Sequence, residues 1–240
     1  MMSRPPAQST FTPPVMEARR WLDGVEFPPG RPLINVSQAA PVDPSPEGLR
    51  RALAEAAMTE PQAHLYGPVL GRADLRAELA TRWQAAYGGA IGPDQVAITS
   101  GCNQAFCAAM ATLAGPGDAV LLPTPWYFNH KMWLDMAGVE AVPLPARTGL
   151  LPDPEEAAGL ITDRTRAIVL VTPNNPGGVE YPAELVRAFH DLAQAHGLAL
   201  VVSLVVLTGV VLAIYEILRQ ARPPARVHLH GDEQAERRRG

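Results

Sequence analysis

The chain has 240 residues, of which 47% are hydrophobic and 18% charged, which excludes a disordered polypeptide and predicts one or two packed domains. A formal net charge of −4, with no basic stripe in the first 200 residues, excludes a nucleic-acid partner. Two cysteines, Cys102 and Cys107, cannot build a disulfide framework, and Met1–Pro14 lacks an apolar signal core, so a reducing compartment, the cytoplasm, is expected.

The first 45 residues read as an arm with one short amphipathic helix around Val15–Leu22. Asp43-Pro44-Ser45-Pro46 then opens a helix, with Pro46 at its first position and Leu49, Leu53, Ala56 and Ala57 at helical spacing. A second helix covers Ala73–Tyr87, carries Leu75, Leu79 and Trp83 as its apolar stripe, and stops at Gly88-Gly89. From residue 95 onward strand and helix alternate. Strands are expected at Val96–Ile98, Ala119–Leu122, Val139–Leu144, Ala167–Val171 and Leu198–Val202. Helices are expected at Asn103–Leu113, Asn129–Ala137, Pro154–Ile161 and Ala183–His196. Ala167–Val171 is apolar without alternation, as in a strand covered on both faces. The pattern predicts an α/β fold with a mainly parallel sheet flanked by helices, and ligand-binding loops at the carboxyl ends of strands.

Three such loops stand out. Thr99–Phe106 follows a strand and opens a helix, where free N–H groups and the positive end of the helix dipole suit a phosphate; Ser100 acting as a simple cap explains the same residues. Trp126-Tyr127-Phe128 places three aromatics after a strand, suited to stacking on a planar ring or to packing beneath the loop. Thr172-Pro173-Asn174-Asn175-Pro176-Gly177-Gly178 is either a Pro/Gly turn or a device that fixes an asparagine side chain at a strand end.

In this order and spacing, with Tyr66-Gly67-Pro68, Gly115-Pro116-Gly117-Asp118 and Gly138, the loops resemble the fold-type I pyridoxal-phosphate enzymes, most closely the class I/II aminotransferases, over about residues 33–202. The resemblance implies pyridoxal 5'-phosphate as cofactor and an amino acid and a 2-oxo acid as substrates. It implies that Gly101, Cys102 and Asn103 cradle the phosphate, that Tyr127 stacks on the ring, and that Asn175 bonds the phenolic oxygen. His130 resembles a residue supporting the cofactor's aspartate partner. Tyr66 resembles a tyrosine that reaches a neighbouring subunit's phosphate, hence a homodimer. Val36-Ser37-Gln38-Ala39 resembles the segment beside the substrate carboxylate, so Ser37 and Gln38 are its candidates.

The pattern then departs from the family. Ser203 is read at the position of the family's aspartate and Val206 at that of its tyrosine. No residue corresponds to the Schiff-base lysine, because Lys131 is the single lysine of the chain and sits in a helix. From Gly197 to Tyr215 no residue is charged, so 198–218 is a candidate membrane helix. Arg219, Arg222 and Arg226 follow it, and Gly231–Gly240 is a charged tail read as disordered. The sequence therefore divides into an arm and small-domain segment (1–45), an incomplete aminotransferase-type large domain (46–202), and an unrelated apolar helix with a tail (203–240). The expectation is a truncated or fused aminotransferase without activity of its own. The alternative is a non-catalytic cofactor- or protein-binding module on a single-pass anchor.

Overall fold

The computed structural model describes residues 8–37 and 43–203. Expectations for Gln38, Val206, the apolar run after Ser203 and the charged tail lie outside the described residues.

Three helices come first: α1 (Pro14–Arg20), α2 (Glu47–Thr59) and α3 (Ala73–Tyr87). The alternating part follows as α4 (Cys102–Leu113), β1 (Ala119–Thr124), α5 (Phe128–Ala137), β2 (Glu140–Pro145), α6 (Pro154–Leu160), β3 (Thr165–Val171), α7 (Ala183–Ala195) and β4 (Ala199–Ser203). The strands form one parallel sheet in the order β2-β1-β3-β4. The fold class read from the alternation is therefore present, with most element ends within two residues of expectation.

Side-chain alternation along the strands splits the core into two layers. On one face Val120, Leu122 and Val169 pack with Phe106 and Met110 of α4 and Leu134 of α5. On the other, Leu121, Ile168 and Leu170 pack with Ala157 of α6 and Phe189 and Ala193 of α7. Full burial of each large side chain contributes roughly 1.5–3 kcal/mol. This double cover explains why β3 reads as an unbroken apolar run.

Several expectations are corrected. Pro46 is the residue before α2, with φ −49° and ψ 140°, rather than its first helical residue. The apolar stripe of α2 finds no partner among the described residues: Leu49 and Leu53 are exposed and no residue of the helix is buried. In α3, Leu79 and Ala80 are buried while Leu75 is exposed. In Val96–Ile98 only Val96 is a bridge residue, and among the described residues the segment pairs with none of the four strands of the sheet. Val96 is buried with Leu79, Ala80 and Ile91, and the Ile98 N–H donates to the Leu70 carbonyl at 3.0 Å. A further correction concerns the candidate span over 198–218. Ala199–Ser203 is a strand registered against Ala167–Val171, so those residues cannot begin a membrane helix. Among the described residues no helix is long and apolar enough to cross a membrane.

The two sheet edges differ. The Glu140 and Ala146 N–H groups donate to the Asp118 and Thr124 carbonyls beside β1, so the alternate positions 141, 143 and 145 point outward, and two of these are Pro143 and Pro145. On β4 the Ser203 carbonyl accepts from Thr172, so Leu200 and Val202 point outward with N–H and C=O intact.

Gly71 joins the segment before α3 to Ile98. Its φ is +92°, and a Cβ there would overlap the Ile98 side chain. Gly71→Ala is expected to lower stability by about 1–3 kcal/mol, read as an earlier urea midpoint.

Candidate functional site

The loops after β1 and β3, the last residue of β4 and the start of α4 meet at one edge of the sheet, the carboxyl edge that open α/β sheets use for ligands. Gly101 precedes α4 with φ 88° and ψ 170°, a conformation open to glycine almost alone. A Cβ at Gly101 would meet nothing within 4 Å, so the space over the helix start is open. The first intrahelical bond runs from the Ala105 N–H to the Gly101 carbonyl, which leaves the N–H groups of Cys102, Asn103 and Gln104 directed out of the helix. Among the described residues no side chain caps them, so Ser100 is not a cap. Instead the Ser100 N–H donates to Gln104 Oε1 at 2.5 Å, and Thr99 Oγ1 donates to the Gly101 carbonyl at 3.0 Å, fixing the turn from behind. The arrangement sets outward N–H groups at the positive end of a twelve-residue helix, chemistry that could hold an anion.

Tyr127 immediately precedes α5. Its hydroxyl accepts from Asn129 Nδ2 at 2.8 Å, and its ring meets the edge of the His130 ring at 5.0 Å and 86°. His130 in turn stacks on Phe106 of α4 at 3.8 Å and 16°. The His130 side chain is fully buried, and neither ring nitrogen has a partner among the described residues. Burial pushes its pKa down to about 3, so the imidazole is neutral. The contacts of His130 with Phe106 and Tyr127 tie α4 to the aromatic loop.

The loop after β3 separates two neighbouring asparagines by role. Asn174 is buried: its Oδ1 accepts from the Gly177 N–H at 2.8 Å, and its Nδ2 donates to the Tyr181 hydroxyl at 3.2 Å. Asn174 therefore staples the loop. Asn175 is half-buried, and its amide has no bond among the described residues, which leaves it available to a ligand. Ser203 is buried at the end of β4, with its hydroxyl 3.1 Å from the Cys102 thiol, so β4 is joined to the start of α4. Both Cys102 and Cys107 are free thiols.

Contacts thus link Cys102 to Ser203 and Tyr127 through His130 to Phe106 of α4, while Asn175, in the loop after β3, shares with them the carboxyl edge of the sheet. It leaves two sequence candidates apart. Tyr66 is fully exposed and packs on none of them. Ser37 is exposed, and its N–H and hydroxyl both donate to Asn35 Oδ1. Lys131 is held in an ion pair with Asp135 on its own helix and lies 5.5 Å from the centre of the Trp126 ring. Sequence reasoning missed the Asn174 staple, although an asparagine three residues before a glycine is its local signal. It also missed the Cys102–Ser203 contact, which spans 101 positions and has no local signal. A separate dip of about 460 Å³ lies at the amino ends of β3 and β4, lined by Asp163, Arg166 and His196. Arg166 there pairs with Asp118 at 2.8 Å.

Comparison with known proteins gives a consistent match. The family model "Aminotransferase class I and II" covers residues 31–205. The aspartate/prephenate aminotransferase of Thermus thermophilus is 35% identical over 158 residues, covering 65% of this chain and 39% of its own. An arginine–pyruvate transaminase of Pseudomonas aeruginosa is 36% identical over 135 residues, covering 55% and 34%. A structure of Thermus thermophilus aspartate aminotransferase with maleate superposes with a TM-score of 0.73 at 28% identity, covering 85% of this chain and 53% of that one. The chain thus spans about four tenths or less of the length of these two curated relatives.

Proposed function

The chain belongs to the class I and II aminotransferase family, and from that premise we propose that its carboxyl-edge loops hold pyridoxal 5'-phosphate for transfer of an amino group between an amino acid and a 2-oxo acid. The observation that carries this reading is Gly101, in a glycine-only conformation beneath open space, beside three outward N–H groups. The N–H groups of Cys102, Asn103 and Gln104 would take the phosphate. Tyr127 would present its ring face to the pyridine, and the Asn175 amide would donate to the phenolic oxygen. When bound, the cofactor supplies an electron sink for bonds at the amino acid's α-carbon. His130 is neutral and held by Phe106, and would keep Tyr127 at its angle.

The similar proteins are named for donors as unlike as aspartate and arginine, which supports α-amino acids as a class of substrate. Tyr66, with exposed Leu65 and Val69 beside it, supports a homodimer in which the tyrosine reaches the second copy's phosphate. The two free thiols support a reducing, cytoplasmic setting. The 240-residue chain is read as inactive by itself, since its only lysine is paired with Asp135.

Titrating the purified chain with pyridoxal phosphate, followed by tryptophan fluorescence, tests the reading. Saturable binding is expected, weakened about tenfold in Tyr127→Ala, since a lost aromatic stack is worth on the order of 1 kcal/mol or more. Borohydride treatment should leave Lys131 unmodified by mass, and no 2-oxo acid should form from added amino acids. A phosphopyridoxyl group on Lys131, or turnover abolished by Lys131→Ala, would overturn the inactive reading. No saturable binding would overturn the cofactor assignment.

A further inference from the structure

One charged cluster lies just outside the carboxyl-edge loops and has no part in the roles above. Lys131 and Asp135 stand one turn apart on α5, each less than one fifth exposed, and their ammonium and carboxylate are in direct contact. The same ammonium lies 5.5 Å from the centre of the Trp126 ring, and Trp126 precedes Tyr127 in the loop. Trp126 also packs on the core layer that contains Phe106 and Leu134. Asp135 has two further partners from the far end of the sequence: Thr10 Oγ1 donates to its Oδ2 at 3.1 Å, and Ser9 Oγ donates to its carbonyl at 3.1 Å. Four pieces of chain therefore converge: the arm, the aromatic loop, the first turn of α5 and its last turn.

We propose that Lys131 is a positioning residue, the centre of a clamp that joins Trp126 to Asp135, and through Asp135 to Ser9 and Thr10, and so fixes the loop presenting Tyr127. This rests on the cofactor reading for its functional consequence and on the contacts alone for its structural one. The physical case is burial. A largely desolvated ion pair that also meets a ring face is stiffer than an exposed pair, and losing either charge strands the other. The Tyr127 carbonyl accepts from the His130 N–H at 3.0 Å and the Lys131 N–H at 3.4 Å, so freedom at Lys131 passes directly to the tyrosine's own peptide. The arm is the clamp's outer jaw: it binds the carboxylate oxygen that Lys131 leaves free.

Full-length Lys131→Met, Lys131→Arg, Asp135→Ala and the double variant Lys131→Met/Asp135→Ala test the clamp. Affinities for pyridoxal phosphate and for inorganic phosphate alone are measured on each, together with the rate of tryptic cleavage at Arg19 and Arg20. Lys131→Met should weaken pyridoxal phosphate about tenfold, as expected for a partly desolvated cation–ring and ion-pair contact, and leave inorganic phosphate within about twofold. Lys131→Arg should restore most of the loss. Asp135→Ala should both weaken the coenzyme and speed cleavage of the arm, and the double variant should be no worse than Asp135→Ala, because both changes break one unit. Equal losses for coenzyme and phosphate, or strictly additive effects in the double variant, would overturn the clamp. If the wild-type chain binds phosphate but not the coenzyme, the cofactor reading fails. The clamp is then judged on cleavage alone, and an arm cut no faster in Asp135→Ala refutes it.

Discussion

Gly101→Ala should lower the affinity for phosphate and for pyridoxal phosphate at least about tenfold while costing about 1–3 kcal/mol in stability. The added methyl meets no atom, so the effect is not a clash. It comes from the backbone: φ 88° with ψ 170° is tolerated by glycine and strained in any L-residue with a side chain. The strain relaxes by rotating the peptide before α4, which turns the Cys102 and Asn103 N–H groups off their common target. Isothermal titration with inorganic phosphate measures the first effect and urea unfolding the second. A variant that unfolds earlier but binds phosphate as well as the parent would show that the turn shapes the fold and not the cradle.

The second large effect concerns acid. His130 has a folded-state pKa near 3, well below its ordinary value, because burial opposes the charged form. Between about pH 6.5 and 3 the unfolded chain takes up a proton that the folded chain refuses, so this residue makes stability fall as pH falls. Its contribution is up to about 1.4 kcal/mol per pH unit within that window and vanishes above it. His130→Leu keeps an apolar group against Phe106 and removes both unpaired nitrogens. Its stability should fall less steeply between pH 6.5 and 4 than the parent's, measured by urea unfolding at several pH values. Parallel curves for the two proteins would mean that the imidazole gains a partner or water on acidification.

The parallel sheet was legible because its evidence is local. Ile168-Val169-Leu170-Val171 is apolar on both faces, and the loops around it carry glycine and proline where the chain must turn. The same local reasoning failed for α2. Leu49 and Leu53 have the spacing of a buried stripe, yet spacing reports only that a face is apolar, and no described element covers it. At the site, residue types singled out the loops of Gly101, Tyr127 and Asn175, which in the structure precede α4 and follow β1 and β3. Which asparagine of the Asn174-Asn175 pair is the staple could not be read, because the two share one environment in sequence and differ only in which amide reaches Gly177. The contacts Cys102–Ser203 and Thr10–Asp135 join residues more than 100 positions apart, and only the folded chain brings them together.

Pro143 and Pro145 remove two of the three outward donors along β2, whereas Leu200 and Val202 leave both kinds of backbone group available along β4. Among the described residues the sheet is therefore lopsided: the edge beside β4 offers a full ladder to a fifth strand, and the edge beside β2 keeps a single outward N–H. Strand addition is expected to favour the β4 side for that reason.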